Sequence, residues 1–340
     1  MIYGHGDDGY RYALTFKANF SSNIWHKGTS EQLLAYLGKQ LPLIANYPTP
    51  NADILTQQVA GHHQLDISQV LMTNGATEAF YRIASLFREK KVAIGIPTFS
   101  EYEDASAQAS MKIRYYNRSD ILDVSFEEEL VFLCNPNNPD GYSNTATEIE
   151  KLIAGFPATT FVIDEAYIDF TFTITSCTHL LKKYDNLIIV KSLTKLFSIP
   201  GLRLGYILCS KKLGPAFLQA KIPWNVNTLA IEAGKYIFNT YNTLLPDMKK
   251  LLGYSAELQR QIEAIDGFTV IPSKTNYFLV RLKTPKASKL KEYLVYSHQL
   301  LIRDASNFRG LDGHYIRIAC QSPEKNALLI KALQTWSQQQ

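Results

Sequence analysis

The apolar run Leu187-Ile-Ile-Val-Lys191 leads into Ser192-Leu-Thr-Lys195-Leu-Phe-Ser-Ile-Pro-Gly-Leu-Arg203. A lysine at the end of a buried strand, beside hydroxyls and apolar neighbours, can be desolvated. Desolvation lowers its pKa from roughly 10.4 and frees a nucleophilic amine. Ser192 and Thr194 can donate hydrogen bonds to a phosphate, and Arg203 can hold one as a fork. Taken alone, a solvated strand-end lysine is the simpler reading. A second run ends in Asp164-Glu-Ala-Tyr167. A carboxylate there can pair with a protonated ring nitrogen and keep a pyridine cationic, with Tyr167 on the ring's phenolic oxygen. A helix N-cap aspartate explains the same residue.

Three further motifs fall at run ends. Asn135-Pro-Asn-Asn138-Pro139-Asp-Gly141 is either a sharp loop or a loop that offers Asn138 to the same phenolic oxygen. Thr73-Asn-Gly75-Ala76-Thr77-Glu78 follows a short run at 70–72 and opens a helix. Backbone N–H groups at that helix start make a phosphate site, although a capping box reads the same letters. Pro97-Thr-Phe99 offers an aromatic ring for stacking on a planar group or for the core.

The elements that must position these residues are legible as buried strands at 92–96, 130–134, 160–164, 187–191 and 204–209. They are β-branched, continuous rather than alternating, and bounded by Pro, Asn, Gly or charge. Helices are expected at 77–89 and 145–155. The alternation predicts an α/β fold with a mostly parallel sheet, whose ligand sits beyond the carboxyl ends of the strands. A long helix at 248–265, strands at 276–282 and 315–319 and a helix at 323–337 predict a smaller α+β domain. We expect a large domain over 41–240 and a small one from 1–40 with 241–340, since chain ends often lie close together.

Composition narrows the classes. The 340 residues are 46% hydrophobic and carry a net charge of +4, from 35 basic and 31 acidic side chains. That excludes a disordered chain and argues against a nucleic-acid or membrane-surface partner. Cys134, Cys177, Cys209 and Cys320 form no CxxC pair and read as buried thiols of a reducing compartment. No apolar stretch approaches a membrane span, and the first twelve residues lack a signal-peptide pattern, so a cytoplasmic location is expected. Gly4-His-Gly6-Asp-Asp-Gly9 fits a dinucleotide-binding spacing but lacks the strand that must precede it. No metal-ligand spacing occurs, so no metal is expected.

Taken in order, the glycine turn, the aromatic, Asn-Pro, Asp-x-x-Tyr and Ser-x-x-Lys with an arginine eight residues on resemble the fold-type-I enzymes of aminotransferase class I and II. The resemblance covers nearly the full chain. It implies pyridoxal 5'-phosphate (PLP) as cofactor and Lys195 as the lysine that carries it. Asp164 and Tyr167 are then catalytic. The cofactor contacts are Gly75, Ala76, Thr77, Phe99, Asn138, Asp164, Tyr167, Ser192, Thr194, Lys195 and Arg203. The resemblance also implies a homodimer with shared active sites, in which Tyr47 reaches the partner's cofactor phosphate. Arg317 matches the family's carboxylate arginine and Arg303 a substrate-phosphate position, with His5 and Asn19 as further donors to substrate.

Two branches are most similar, one decarboxylating threonine O-3-phosphate in cobalamin synthesis and one transaminating histidinol phosphate. His5-Gly6, Ala18-Asn19, Tyr47-Pro48, Pro223-Trp224-Asn-Val-Asn227 and the stretch from Leu301 to Arg317 resemble the decarboxylase more. The chain departs from both at Asn19-Phe-Ser21-Ser22, where Asn-x-Asn-Pro is expected, and has His-Gly-Asp-Asp where the decarboxylase has His-Gly-Gly-Asn. The expected function is therefore PLP chemistry on a small, phosphorylated amino acid, leaning to decarboxylation, with transamination of histidinol phosphate or another amino acid as the alternative. A PLP-sensing regulator would carry a DNA-binding segment ahead of this match. A homologue that had lost PLP chemistry would lack Lys195.

Overall fold

The computed structural model describes residues 6–339. Along the chain these form β1 (Ala18–Asn19), α1 (Glu31–Gln40), α2 (Asp53–His63), β2 (Val70–Thr73), α3 (Gly75–Leu86), β3 (Lys91–Ile96), α4 (Glu101–Gln108), β4 (Lys112–Asn117) and β5 (Leu130–Cys134). There follow α5 (Ala146–Gly155), β6 (Thr160–Asp164), β7 (Leu187–Ser192), β8 (Gly205–Cys209), α6 (Gly214–Gln219), α7 (Thr228–Asn239), α8 (Tyr241–Leu244) and α9 (Met248–Glu263). The chain closes with β9 (Phe268–Ile271), β10 (Tyr277–Leu282), α10 (Ala287–His298), β11 (Leu300–Leu301), β12 (Arg303–Asp304), β13 (Tyr315–Ala319) and α11 (Pro323–Gln338).

Seven strands build the main sheet in the order β2-β8-β7-β6-β5-β3-β4. The pairs β4–β3, β3–β5, β5–β6 and β6–β7 are parallel, as the continuous apolar runs require. β8 is antiparallel to both neighbours, because the chain returns directly from β7 through the Lys195 loop. β4, Lys-Ile-Arg-Tyr-Tyr-Asn, carries no such run. It is an edge strand with half its side chains in solvent, and its charges suit an edge.

The small antiparallel sheet runs β12-β13-β10-β9. Its core takes Ala18 and Phe20 from the start of the chain together with Leu290, Leu294, Leu329 and Leu333. Leu33 and Leu37 of α1 instead join the main core with Leu55, Val59 and Ile237, so the first forty residues divide between the two cores. Among the described residues, no helix is long and apolar enough to cross a membrane.

Candidate active site

The loops after β2, β3, β5, β6 and β7 meet at the carboxyl edge of the main sheet. There they line a cleft of about 460 Å³ with Ala76, Thr77, Phe99, Asn138, Asp164, Tyr167, Ser192, Thr194, Lys195 and Arg203, joined by Phe80, Cys134 and Ala166. Of the sequence-derived cofactor set, Gly75 and Tyr47 do not line this cleft.

Gly75 lies beneath it. Its φ of +75° is a left-handed conformation, and a Cβ there would stand 2.6 Å from Arg203 Nη2. Glycine is therefore demanded twice, by backbone and by space. The capping-box reading of this turn is corrected: Asn74 is the N-cap and its side chain caps nothing, while its own N–H is accepted by the Glu78 carboxylate. The first turn of α3 thus has no side-chain cap and keeps its N–H groups for an anion. Arg203, itself left-handed at φ 57°, donates from Nη1 to the Pro200 carbonyl at 3.2 Å. Ser192 and Thr194 share a 2.8 Å hydroxyl–hydroxyl bond.

Lys195 is half-buried beside this cradle. Burial, reinforced by the like charges of Arg317 and Arg203 and opposed by Asp164 and Asp7, brings its pKa down to about 8. Asp164 is buried at the end of β6, and burial pushes its carboxyl up to about 6 against the pull of its donors. Those donors are the Tyr102 hydroxyl at 2.5 Å and the Ala166 N–H at 2.9 Å. Asp164 therefore closes a local turn and caps no helix. Tyr167 is buried against Tyr277, ring centroids 4.8 Å apart, and burial holds its phenol above the usual range.

Asn138 lies on a loop braced from several sides. Asn135 and Asn144 exchange bonds of 2.8 and 2.9 Å, Asn137 donates to the Pro97 carbonyl at 2.9 Å, and Arg118 donates to the Cys134 carbonyl at 2.8 Å. The Asn138 Oδ1 accepts from Arg317 Nη1, which turns the amide so that its nitrogen is the group left to serve the cleft.

A second cavity of about 300 Å³ shares Phe99 and Asn138 with the first and adds Gly6, Ser100, Arg303, Asn307, Phe308 and Arg317. Arg317 Nη2 donates to the Ser21 carbonyl at 2.6 Å. Arg303 donates to the Asp304 carbonyl and to Asn307 Oδ1, both at 2.7 Å. Arg303 is buried, and the nearby Asp304 and Asp312 carboxylates are engaged by Ser288 and His314.

Asn19 lies on β1, beside these residues. It lines neither cavity, and its amide is committed to Asp7 and to Ser21, so it buttresses the carbonyl that anchors Arg317. Tyr47 is 87% exposed on the outer surface against Trp224, far from being enclosed by its own chain. His5 lies outside the described residues. Sequence reasoning missed Tyr102, Asn307 and Phe308. Tyr102 lies three residues beyond Phe99 at the start of α4, and Asn307 four residues beyond Arg303; proximity to a named site residue is the one signal the sequence offered for either.

The chain matches aminotransferase class I and II over residues 17–333. It is 30% identical to a threonine-phosphate decarboxylase of Salmonella typhimurium over 93% of this chain and 90% of that one. Its fold superposes on the crystal structure of L-threonine-O-3-phosphate decarboxylase from Porphyromonas gingivalis with TM-score 0.92 and 40% identity, covering 94% of this chain and 99% of that one. The histidinol-phosphate aminotransferase from Clostridium acetobutylicum follows at TM-score 0.84 and 26% identity, covering 94% and 99%. A lysine-bearing cleft at the carboxyl edge of this sheet, matched across nearly the whole chain, makes the protein a member of the aminotransferase class I and II family.

Proposed function

We propose that the protein binds pyridoxal 5'-phosphate on Lys195 and decarboxylates O-phospho-L-threonine, or a close phosphorylated amino acid. The residues present fit the cofactor. The uncapped start of α3, the space that only Gly75 leaves beside Arg203, and the hydroxyls of Ser192 and Thr194 suit its phosphate. Asp164 suits its ring nitrogen, Asn138 and Tyr167 its phenolic oxygen, and Phe99 its face. When bound, the cofactor supplies an aldehyde for an amine and a cationic ring that accepts electrons from Cα.

The observation that carries the substrate reading is the pair Arg303 and Arg317, buried in one cavity, each with an unpartnered Nε. Two such guanidiniums suit a substrate with two anions. Arg317, bound to Asn138 next to the lysine cleft, suits the α-carboxylate; Arg303, farther out with Asn307, suits the phosphate. Arg317 and Arg303 together would fix how a substrate with two anions is oriented at Cα, and so which of its bonds is broken. In decarboxylation the Cα–carboxylate bond breaks, carbon dioxide leaves, and Lys195 Nζ can return a proton to Cα. In transamination the same amine takes the proton from Cα.

The exposed Tyr47, Ile44 and Trp224 line a surface groove of about 990 Å³, which supports a homodimer with Tyr47 turned to the partner's cradle. The test is incubation of the loaded protein with O-phosphothreonine, following carbon dioxide. A parallel arm supplies histidinol phosphate and 2-oxoglutarate and follows glutamate. Carbon dioxide in the first arm alone is expected; glutamate in the second without carbon dioxide in the first would transfer the reading to the aminotransferase branch.

A further inference from the structure

Asp164 is the only carboxylate lining the lysine cleft among the described residues. Its two oxygens are held by different donors. Oδ1 accepts the Ala166 N–H at 2.9 Å and Oδ2 accepts the Tyr102 hydroxyl at 2.5 Å. Donors on both oxygens fix the rotation of the carboxylate plane and leave the remaining lone pairs for the cleft. A third, weaker contact comes from the Cys134 thiol, 3.8 Å from Oδ2.

Tyr102 is built to be immobile. It is fully buried on α4, stacked on Phe132 with ring centroids 5.1 Å apart and planes 3° from parallel, and abutted edge-on by Phe80 at 4.8 Å. It does not line the cleft. Packing accounts for the ring, which phenylalanine would supply equally well. It does not account for the hydroxyl, whose partner is the one carboxylate of the cleft.

We propose that Tyr102 is a positioning residue: its hydroxyl holds Asp164 in the orientation, and in the ionised form, that a protonated ring nitrogen requires. The inference rests on the reading of Asp164 given above. The groups that bear on this carboxylate are Tyr102 from α4, Cys134 from β5, the Ala166 N–H beyond β6 and Lys195 beyond β7. Burial alone favours the neutral acid, and a charge-assisted hydrogen bond from a fixed hydroxyl opposes it.

The experiment compares Tyr102→Phe, Asp164→Asn and the double variant as full-length protein. Carboxyl carbons of ¹³C-labelled aspartate are titrated in the cofactor-free protein, with Asp164→Asn identifying the resonance. In Tyr102→Phe the Asp164 midpoint should rise by about one pH unit. In the PLP-loaded protein, Tyr102→Phe should keep its cofactor and its KM but lose about tenfold in kcat. That loss should vanish in the Asp164→Asn background, because a hydroxyl that acts only through the carboxylate has nothing left to act on. An unchanged midpoint, or equal losses with and without Asp164, would overturn the proposal and return Tyr102 to core packing. Failure of the wild-type protein to take up PLP would strike the cofactor reading instead, and the cofactor-free titration would still decide whether Tyr102 governs Asp164.

Discussion

Arg303 and Arg317 are direct partners across the antiparallel β12–β13 ladder, and among the described residues neither guanidinium is ion-paired to a carboxylate. Like charges directly opposite one another destabilise a sheet. Burial and the neighbouring Arg317 bring Arg303 down to about 10, and burial also depresses Arg317. Two such groups facing one another on a shared cavity beside the lysine cleft suit the two anions of the proposed substrate.

The first prediction follows from that pair. Arg303→Ala should cost about 3 kcal/mol in kcat/KM for O-phosphothreonine, on the order of 100-fold, because a charge-assisted pair with the phosphate is lost. For an unphosphorylated amino acid the same change should cost little. Parallel kinetics on threonine and O-phosphothreonine check this; equal losses on both would put the phosphate elsewhere.

Lys195 should capture PLP with a pH dependence that no ordinary lysine shows. Its amine titrates near pH 8 rather than at the usual 10.5. At pH 7 roughly one molecule in ten then carries the neutral nucleophile, against roughly one in three thousand for an unperturbed lysine. The rate of capture by cofactor-free protein should rise through pH 8 and level off above it. Because the folded value lies below the unfolded one, this group's contribution to stability also rises with pH between about 8 and 10.5. Borohydride should fix the cofactor on Lys195. A Lys195→Ala chain that still traps PLP covalently, or a capture rate still climbing at pH 10, would contradict the assignment.

Much of this site was legible because local sequence dictates it. Continuous β-branched runs mark parallel strands, and the polar residues after each run must fall at one edge of the sheet; that locates Asp164, Asn138 and Lys195. The edge strand β4 was not legible, because an exposed strand has no hydrophobic run to announce it. Nor was the engagement of Asn19 by Asp7 and Ser21, since hydrogen bonds between side chains twelve residues apart follow from a loop path that no periodicity encodes. Tyr102 was hidden for a related reason. Its role depends on a contact 62 residues away in sequence, while locally it is one aromatic in a short helix of acidic and small residues.

Gly75→Ala should damage the cradle without unfolding the protein. A methyl group there meets Arg203 Nη2 at 2.6 Å, at a φ of +75° that alanine adopts at a cost of about 1 kcal/mol. The guanidinium is the flexible partner, so it should yield and leave its place beside the start of α3. Cofactor affinity should drop by at least about tenfold, while the melting temperature of the cofactor-free protein falls by only a few degrees. Fluorescence titration with PLP alongside thermal melts separates the two effects. Full affinity in the variant would show that Arg203 does not depend on this glycine.

The last prediction concerns Tyr47, which stands 87% exposed beside a half-exposed Trp224 and an exposed Ile44. Isolated apolar side chains on a surface mean little, but a contiguous aromatic and aliphatic patch beside a groove marks a surface meant to be covered. Its Trp224 indole donates to the Pro48 carbonyl at 3.1 Å, so the 47–50 turn is held in place before any partner arrives. We expect a dimer in sedimentation experiments, burying well over ~1,000 Å² in total, with Tyr47 enclosed between the subunits. Tyr47→Phe keeps the apolar ring and should leave the dimer intact, but should weaken PLP retention if the hydroxyl reaches the partner's phosphate. Tyr47→Asp should weaken the dimer itself, because it buries an unpaired charge in the interface. Retention of PLP unchanged in Tyr47→Phe would confine this side chain to packing, and a monomer of full activity would remove the shared site altogether.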